Sequence, residues 1–366
     1  MKKLILHIGT WKTGTTTIQN YLFNNSEELA KQGIIYSNSC SNNTFLIHFF
    51  HSNNDNHVTV RNSSKGQNEL FTNAKDEITK LIKTTNNSKT LILSSEFLLD
   101  LSVSDIYGLK YYFKEYFDEI KVIAYIRHPA LHASSAVNEQ VKQGHYNIKT
   151  AFKYHSKPDE INRVFRWVEV FGKESIKIIP FEKKSLKSGD LLTDFRFYCN
   201  IKSNDNDSNT KNIDNTTLSE AAMLIADSLS EIAPSGSCDR GPSEYLNKIS
   251  GPKYTADTYF LEEVVENTKV QLELLEKNFG IKLAGNIQDK VKINEVWTKD
   301  TITSIAKILN DLSLINSRLK SENKSLRADL TTLTNSTDRN KNQNKDQKEL
   351  CGYSGEFGHS VDSFTE

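Results

Sequence analysis

The stretch Leu4–Leu22, LILHIGTWKTGTTTIQNYL, decides how the chain is read. Leu4 to Ile8 is an apolar run of strand length. Gly9 and Gly14 bracket a loop, and a cluster of threonines follows. Ile18, Tyr21 and Leu22 then fall on one side of a helix. A strand, a glycine-containing loop and a helix start bring backbone N–H groups and the positive end of the helix dipole onto one anion. Thr15, Thr16 and Thr17 can add hydroxyl donors there.

Gly9 and Gly14 have the spacing of the nucleoside-triphosphate loop G-x-x-x-x-G-K-[ST]. Thr15 stands where that loop has its Lys. The basic residue is Lys12, two places before the second glycine, so its ammonium reaches a phosphate from another side of the loop.

Apolar runs recur at Ile34–Tyr36, Thr90–Leu93, Lys121–Ile126 and Ile176–Pro180, and helical patterns separate them. Strands alternating with helices predict an α/β fold: a P-loop-type, mostly parallel sheet flanked by helices. Such sheets bind ligands at the carboxyl ends of their strands. Lys12, Glu96 and Arg127 all fall just beyond predicted strand ends, which points to one site.

Two further motifs meet there. IRHPALHASSAVNEQVKQG begins at Ile126, with Pro129 suited to a first helical turn. Arg127 and Ser135 lie eight residues apart, and a guanidinium fork with a hydroxyl suits a terminal phosphate. His128 and His132 lie beside them, where positive charge would assist. LILSSEFLLD ends a strand at Glu96, a candidate base. His48 and His51 are rival bases in the polar, Asn-rich stretch 37–67, which is expected to be a long loop.

The chain has 366 residues, 37% hydrophobic and 25% charged, with formal net charge zero. That fits a globular protein with a polar tail and gives no bulk electrostatic attraction for nucleic acid. Met1-Lys2-Lys3 before Leu4 hints at a signal peptide, but His7 interrupts the short apolar run. No apolar stretch is long enough to span a membrane. Cys40, Cys199, Cys238 and Cys351 are far apart and form no C-x-x-C pair, so free thiols in a reducing compartment are expected.

Residues 201–215 are polar and expected to be a linker. Helical patterning resumes at Thr216, with a break at 234–252. Ile305, Leu312, Leu319, Leu326 and Leu333 recur every seven residues. Ile308 and Ile315 fill companion positions, followed by Glu322 and Asp329. A long helix or short coiled coil over 301–334, and some self-association through 305–333, are expected. The composition of 335–366 suggests disorder.

The run K-T-G-T-T after a strand resembles the 5′-phosphosulfate loop of sulfotransferases that use 3′-phosphoadenosine 5′-phosphosulfate (PAPS). The wider run LHIGTWKTGTTTIQNYL is most similar to the bacterial carbohydrate-type branch, with Trp11 as a departure. The Arg127/Ser135 pair resembles the family's 3′-phosphate segment, and IIPFEKKSLKSGDLLTDFRFYCNI resembles its next strand and helix. Glu96 resembles the catalytic Glu of the heparan-type enzymes in its place along the chain.

The resemblance implies a catalytic core over 1–200, completed by helices over 201–300. It implies PAPS as co-substrate without a metal, and a carbohydrate or other hydroxyl acceptor; a cytoplasmic location is expected from the reducing compartment that the cysteines suggest. The resemblance assigns Lys12, Thr13, Gly14, Thr15, Thr16, Thr17, Arg127 and Ser135 to PAPS. Lys12 and Glu96, with His48 as rival, take the catalytic roles. The alternatives are a P-loop kinase or NTPase, which would need a Lys after Gly14 and an acidic pair for Mg²⁺, and a non-catalytic nucleotide-binding scaffold.

Overall fold

A computed structural model of the chain describes residues 1–53, 57–85, 89–202, 217–232, 244–285 and 293–350. It divides into two compact units, Met1–Thr301 and Ile302–Glu366. The first unit opens with β1 (Lys3–His7), α1 (Thr15–Asn24), α2 (Ser26–Lys31), β2 (Ile34–Ile35), α3 (Phe45–Phe50), α4 (Val58–Arg61) and α5 (Gln67–Thr84). It continues through β3 (Thr90–Ser94), α6 (Val103–Lys114), β4 (Glu119–Ile126), α7 (Pro129–Lys142), α8 (Ile148–His155), α9 (Glu160–Phe171), β5 (Ile176–Pro180) and α10 (Leu191–Cys199). Helices α11 (Glu220–Ile232), α12 (Glu244–Asn247), α13 (Thr258–Phe279) and α14 (Ile293–Val296) follow, and α15 spans Lys299–Leu350.

The five strands form one parallel sheet in the order β2-β3-β1-β4-β5. Leu6 of β1 stands opposite Leu93 of β3 and Val122 of β4. The strands read as continuous apolar runs because helices cover both faces. Leu4, Leu6, Leu93, Val122 and Ala124 point to one face and pack with Ile78, Ile106, Phe113 and Trp167 from α5, α6 and α9. Their neighbours Ile5, Ile92, Ile123 and Tyr125 point to the other, against Ile18 and Leu22 of α1 and Phe195 of α10. The two-residue period of a strand divides the core this way. The chain leaves β1 towards β2 and leaves β4 towards β5, so a crevice opens between them at their carboxyl ends.

The stretch 37–67 is more ordered than its composition suggests. FLIHFF forms α3, with Leu46 and Ile47 fully buried. Asn43 ties this segment to the sheet, its Oδ1 accepting from Ser94 N at 2.9 Å. The apolar cluster outweighs the Asn-rich flanks, because burying such side chains stabilises by about 1.5–3 kcal/mol each.

Helices α11 and α13 pack on α7, the helix that carries Ser135. Ser134 Oγ accepts from Ala256 N at 3.3 Å, and Phe152 of α8 stacks on Phe260 of α13 with centroids 4.2 Å apart. Most of the expected linker, 203–215, lies outside the described residues. Helix α15 runs to Leu350, beyond the expected end at 334 and through the first half of the tail read as disordered. Residues 351–366 lie outside the description.

Candidate active site

The loop after β1 continues the sheet before it turns. Thr10 N donates to Tyr125 O at 2.8 Å, and Tyr125 N donates to Gly9 O at 2.9 Å. Gly9 has φ +91, and a Cβ on it would lie 3.2 Å from Glu96 Cα, so the loop can approach the end of β3 closely. Gly14 is the N-cap of α1 at φ +78, and a Cβ there would lie 2.3 Å from Leu191 Cδ2. Both positions favour glycine for the left-handed backbone, and Gly9 also for its close approach to the Glu96 backbone. Lys12 is also left-handed, at φ 61, which costs about 1 kcal/mol in a non-glycine residue. No side chain caps α1, and Thr17 N donates to Gly14 O at 3.0 Å, which leaves the N–H groups of Thr15 and Thr16 to an anion.

A cleft of about 440 Å³ lies at the carboxyl ends of β1, β3 and β4. Lys12, Gly14, Thr15, Thr16, Thr17, Glu96, Arg127 and Ser135 all line it. Thr13 does not: it is fully buried, and its Oγ1 donates to Thr10 O at 2.6 Å to brace the loop from behind. Glu96 begins the turn after β3, and its Oε2 accepts from Gln19 Nε2 of α1 at 2.8 Å. Below the loop His7 is fully buried, with Nδ1 2.8 Å from Ser94 Oγ. Burial pushes its pKa down to about 3, so it ties β1 to β3 as a neutral ring.

Arg127 follows β4, and burial works against its charge. Arg remains protonated all the same. Among the described residues its guanidinium makes no ion pair, although a half-buried cation is costly without one. Ser135 faces the same cleft from α7, which begins with Pro129 at its first turn and His128 as N-cap.

The structure corrects the electrostatics read from IRHPALHASS. His128 and His132 are buried, and burial lowers the pKa of each below the usual imidazole range. They are neutral near pH 7 and add no positive charge. Among the described residues the cations facing the cleft are Lys12 and Arg127.

His48 and His51 are not brought to the cleft. His48 is buried on α3, with Nε2 3.2 Å from Thr59 Oγ1, and burial lowers its pKa. His51 Nδ1 accepts from Asn53 N at 3.2 Å, and its ring centroid is 5.5 Å from that of His57.

Four lining residues escaped sequence reading: Asn138, Glu139, Phe181 and Thr217. Glu139 matters most. Its Oε2 lies 3.1 Å from Lys12 Nζ, and its Oε1 accepts from Gln143 Nε2 at 2.9 Å. Burial would raise its pKa, but the Gln143 hydrogen bond and the charge of Lys12 outweigh this and hold it below the ordinary value. Glu139 lies four residues after Ser135 on one helix, and that spacing is the signal that could have found it.

No family model and no curated protein matches the chain. Among solved structures it is similar to the "Sulfotransferase Domain from the Curacin Biosynthetic Pathway", with 13% identity and a TM-score of 0.32. The match covers 56% of this chain and 76% of that one. At that distance the likeness assigns neither a site nor a substrate.

Proposed function

We propose that the protein is a PAPS-dependent sulfotransferase acting on a hydroxyl of a carbohydrate acceptor, such as a surface polysaccharide or a lipid-linked glycan. The observation that carries this reading is that two anion seats open onto one cleft. One is the Lys12 loop with the uncapped start of α1; the other is Arg127 with Ser135. A nucleotide with phosphates at both its 5′ and 3′ ends needs both.

The residues present fit such a nucleotide. Arg127 has no ion-pair partner among the described residues. Lys12 is held by a carboxylate, the kind of group a phosphate or sulfate would replace. PAPS, when bound, supplies the sulfuryl group that passes to the acceptor oxygen.

Lys12 and the loop N–H groups neutralise negative charge that grows on the leaving phosphate, a role for donors fixed in advance. Arg127 and Ser135 hold the 3′-phosphate. Glu96, anchored by Gln19, accepts the proton of the acceptor hydroxyl. The packing of α11 and α13 on α7 supports treating the 201–300 helices as part of one catalytic unit with 1–200. Among the described residues no helix is long and apolar enough to cross a membrane.

Arg127→Ala and Ser135→Ala test this reading. Both should weaken binding of adenosine 3′,5′-bisphosphate more than binding of the analogue without the 3′-phosphate. A charge-assisted contact is worth roughly 1.5–3 kcal/mol, so the Arg change should cost about 10–150-fold and the Ser change less. Equal losses for both nucleotides in calorimetry would remove the 3′-phosphate assignment.

Glu139→Gln should move affinity the other way. The donor must take Lys12 from Glu139, and a partly exposed ion pair is worth up to about 1 kcal/mol. Affinity for adenosine 3′,5′-bisphosphate should therefore rise by about 2–5-fold. A weaker complex would show instead that Glu139 orients Lys12 for the nucleotide.

A further inference from the structure

We propose that α15 pairs with the same helix of a second copy, as a parallel, in-register, two-stranded coiled coil over residues 302–333. Within the unit Ile302–Glu366 the described residues form this one helix. Leu309, Leu319 and Leu326 are 62%, 57% and 66% exposed. Ile308 is buried, but these seam leucines are exposed, and an exposed apolar stripe lacks the packing that stabilises most helices.

The heptad register identifies the occupant. Ile305, Leu312, Leu319, Leu326 and Leu333 sit at one seam position, d. Its correct companions, three residues earlier in each case, are Ile302, Leu309, Asn316, Asn323 and Leu330 at a. The companions expected from sequence, Ile308, Ile315, Glu322 and Asp329, fall at g, beside the seam. Glu322 and Asp329 therefore do not interrupt it. The seam runs for 32 residues, about 48 Å at 1.5 Å per residue, which exceeds the three to four heptads a coil requires.

Three features choose two parallel strands. Leu at d with Asn at a favours the dimer, where the two amides can meet across the seam. Two consecutive Asn positions also penalise a shifted register, because a shift of one heptad keeps one Asn pair and sets the other two Asn against Leu309 and Leu330. The flanking charges agree: Glu322 at g comes opposite Arg327 at e of the second chain when the chains run parallel. In an antiparallel pair the flanking positions meet like with like. Position e then meets e and g meets g, so Lys320 and Arg327 would face Ser313 and Ala306, Glu322 and Asp329 would face Ile315 and Ile308, and the Glu322–Arg327 pair would be lost. Within the single helix Arg318 Nε engages only Oε1 of Glu322, at 3.0 Å.

The test uses the full chain. Sedimentation equilibrium should give twice the 41.6 kDa chain mass. Leu319→Glu with Leu326→Glu should give a monomer whose remaining unfolding transition is unchanged. Asn316→Val with Asn323→Val should keep the helix but broaden the distribution towards larger species, which a merely structural role for these residues would not do.

Orientation is read by air oxidation of Asn323→Cys in a Cys351→Ser background, a seam position far enough from the midpoint that only parallel chains bring the two thiols together. The introduced thiol should cross-link two chains, and the background alone should not do so to the same extent. A monomeric wild-type chain, or a dimer that survives the double Glu change, would overturn the proposal. A dimer without the cross-link would overturn the parallel register.

Discussion

Lys12→Ala is expected to abolish nearly all sulfuryl transfer while leaving the fold intact. Lys12 belongs to neither core cluster, and its one ion pair, to Glu139, is partly exposed. Its loss should therefore cost little stability. Its strained backbone presents an ammonium to the cleft, and strain of this kind is often kept where function depends on it. Removing one preorganised charge contact costs on the order of 3 kcal/mol in the transition state, about 10²-fold in rate or more. Alanine retains the left-handed strain at this position, so the unfolding temperature should barely move. Turnover within a few-fold of wild type would remove Lys12 from the chemistry.

Glu96→Gln should produce the second large loss. Gln keeps the size of the side chain and can still meet Gln19, so the turn after β3 should hold its shape. Only basicity is lost, and turnover should fall by roughly 10²–10⁴-fold with nucleotide affinity little changed. His48→Ala is the control. Because His48 is buried on α3 away from the cleft, its removal should lower stability and leave transfer by the folded protein nearly unaltered. If Glu96→Gln keeps full turnover, another group takes the proton, and Glu139 is the other carboxylate that lines the cleft.

The sheet was legible because its strands are covered on both faces. Such strands read as plain apolar runs, and all five predicted runs form strands. The meeting of Lys12, Glu96 and Arg127 was legible because parallel strands end on one side. Ser135 followed from Pro129, which starts a helix at a defined place.

What escaped detection depends on contacts between distant segments. The Lys12–Glu139 pair joins a loop to a helix 127 residues away (139 minus 12) and carries no local motif. The neutrality of His128 and His132 follows from burial, which neighbouring residues do not reveal. Helix α3 was hidden because Asn-rich flanks masked five apolar residues whose partners lie on α5 and α6. The heptad of α15 was visible, but Ile308 and Ile315 drew attention to the wrong companion row. The two asparagines that define the seam look like breaks until the register is shifted.

The most direct test of the account is titration calorimetry with and without Mg²⁺, comparing adenosine 3′,5′-bisphosphate with ATP. The two-seat cleft should bind the bisphosphate at one per chain without Mg²⁺, and more tightly than it binds ATP with Mg²⁺. Tight binding of ATP that requires Mg²⁺, with little or no binding of the bisphosphate, would contradict the sulfotransferase reading and favour phosphoryl chemistry.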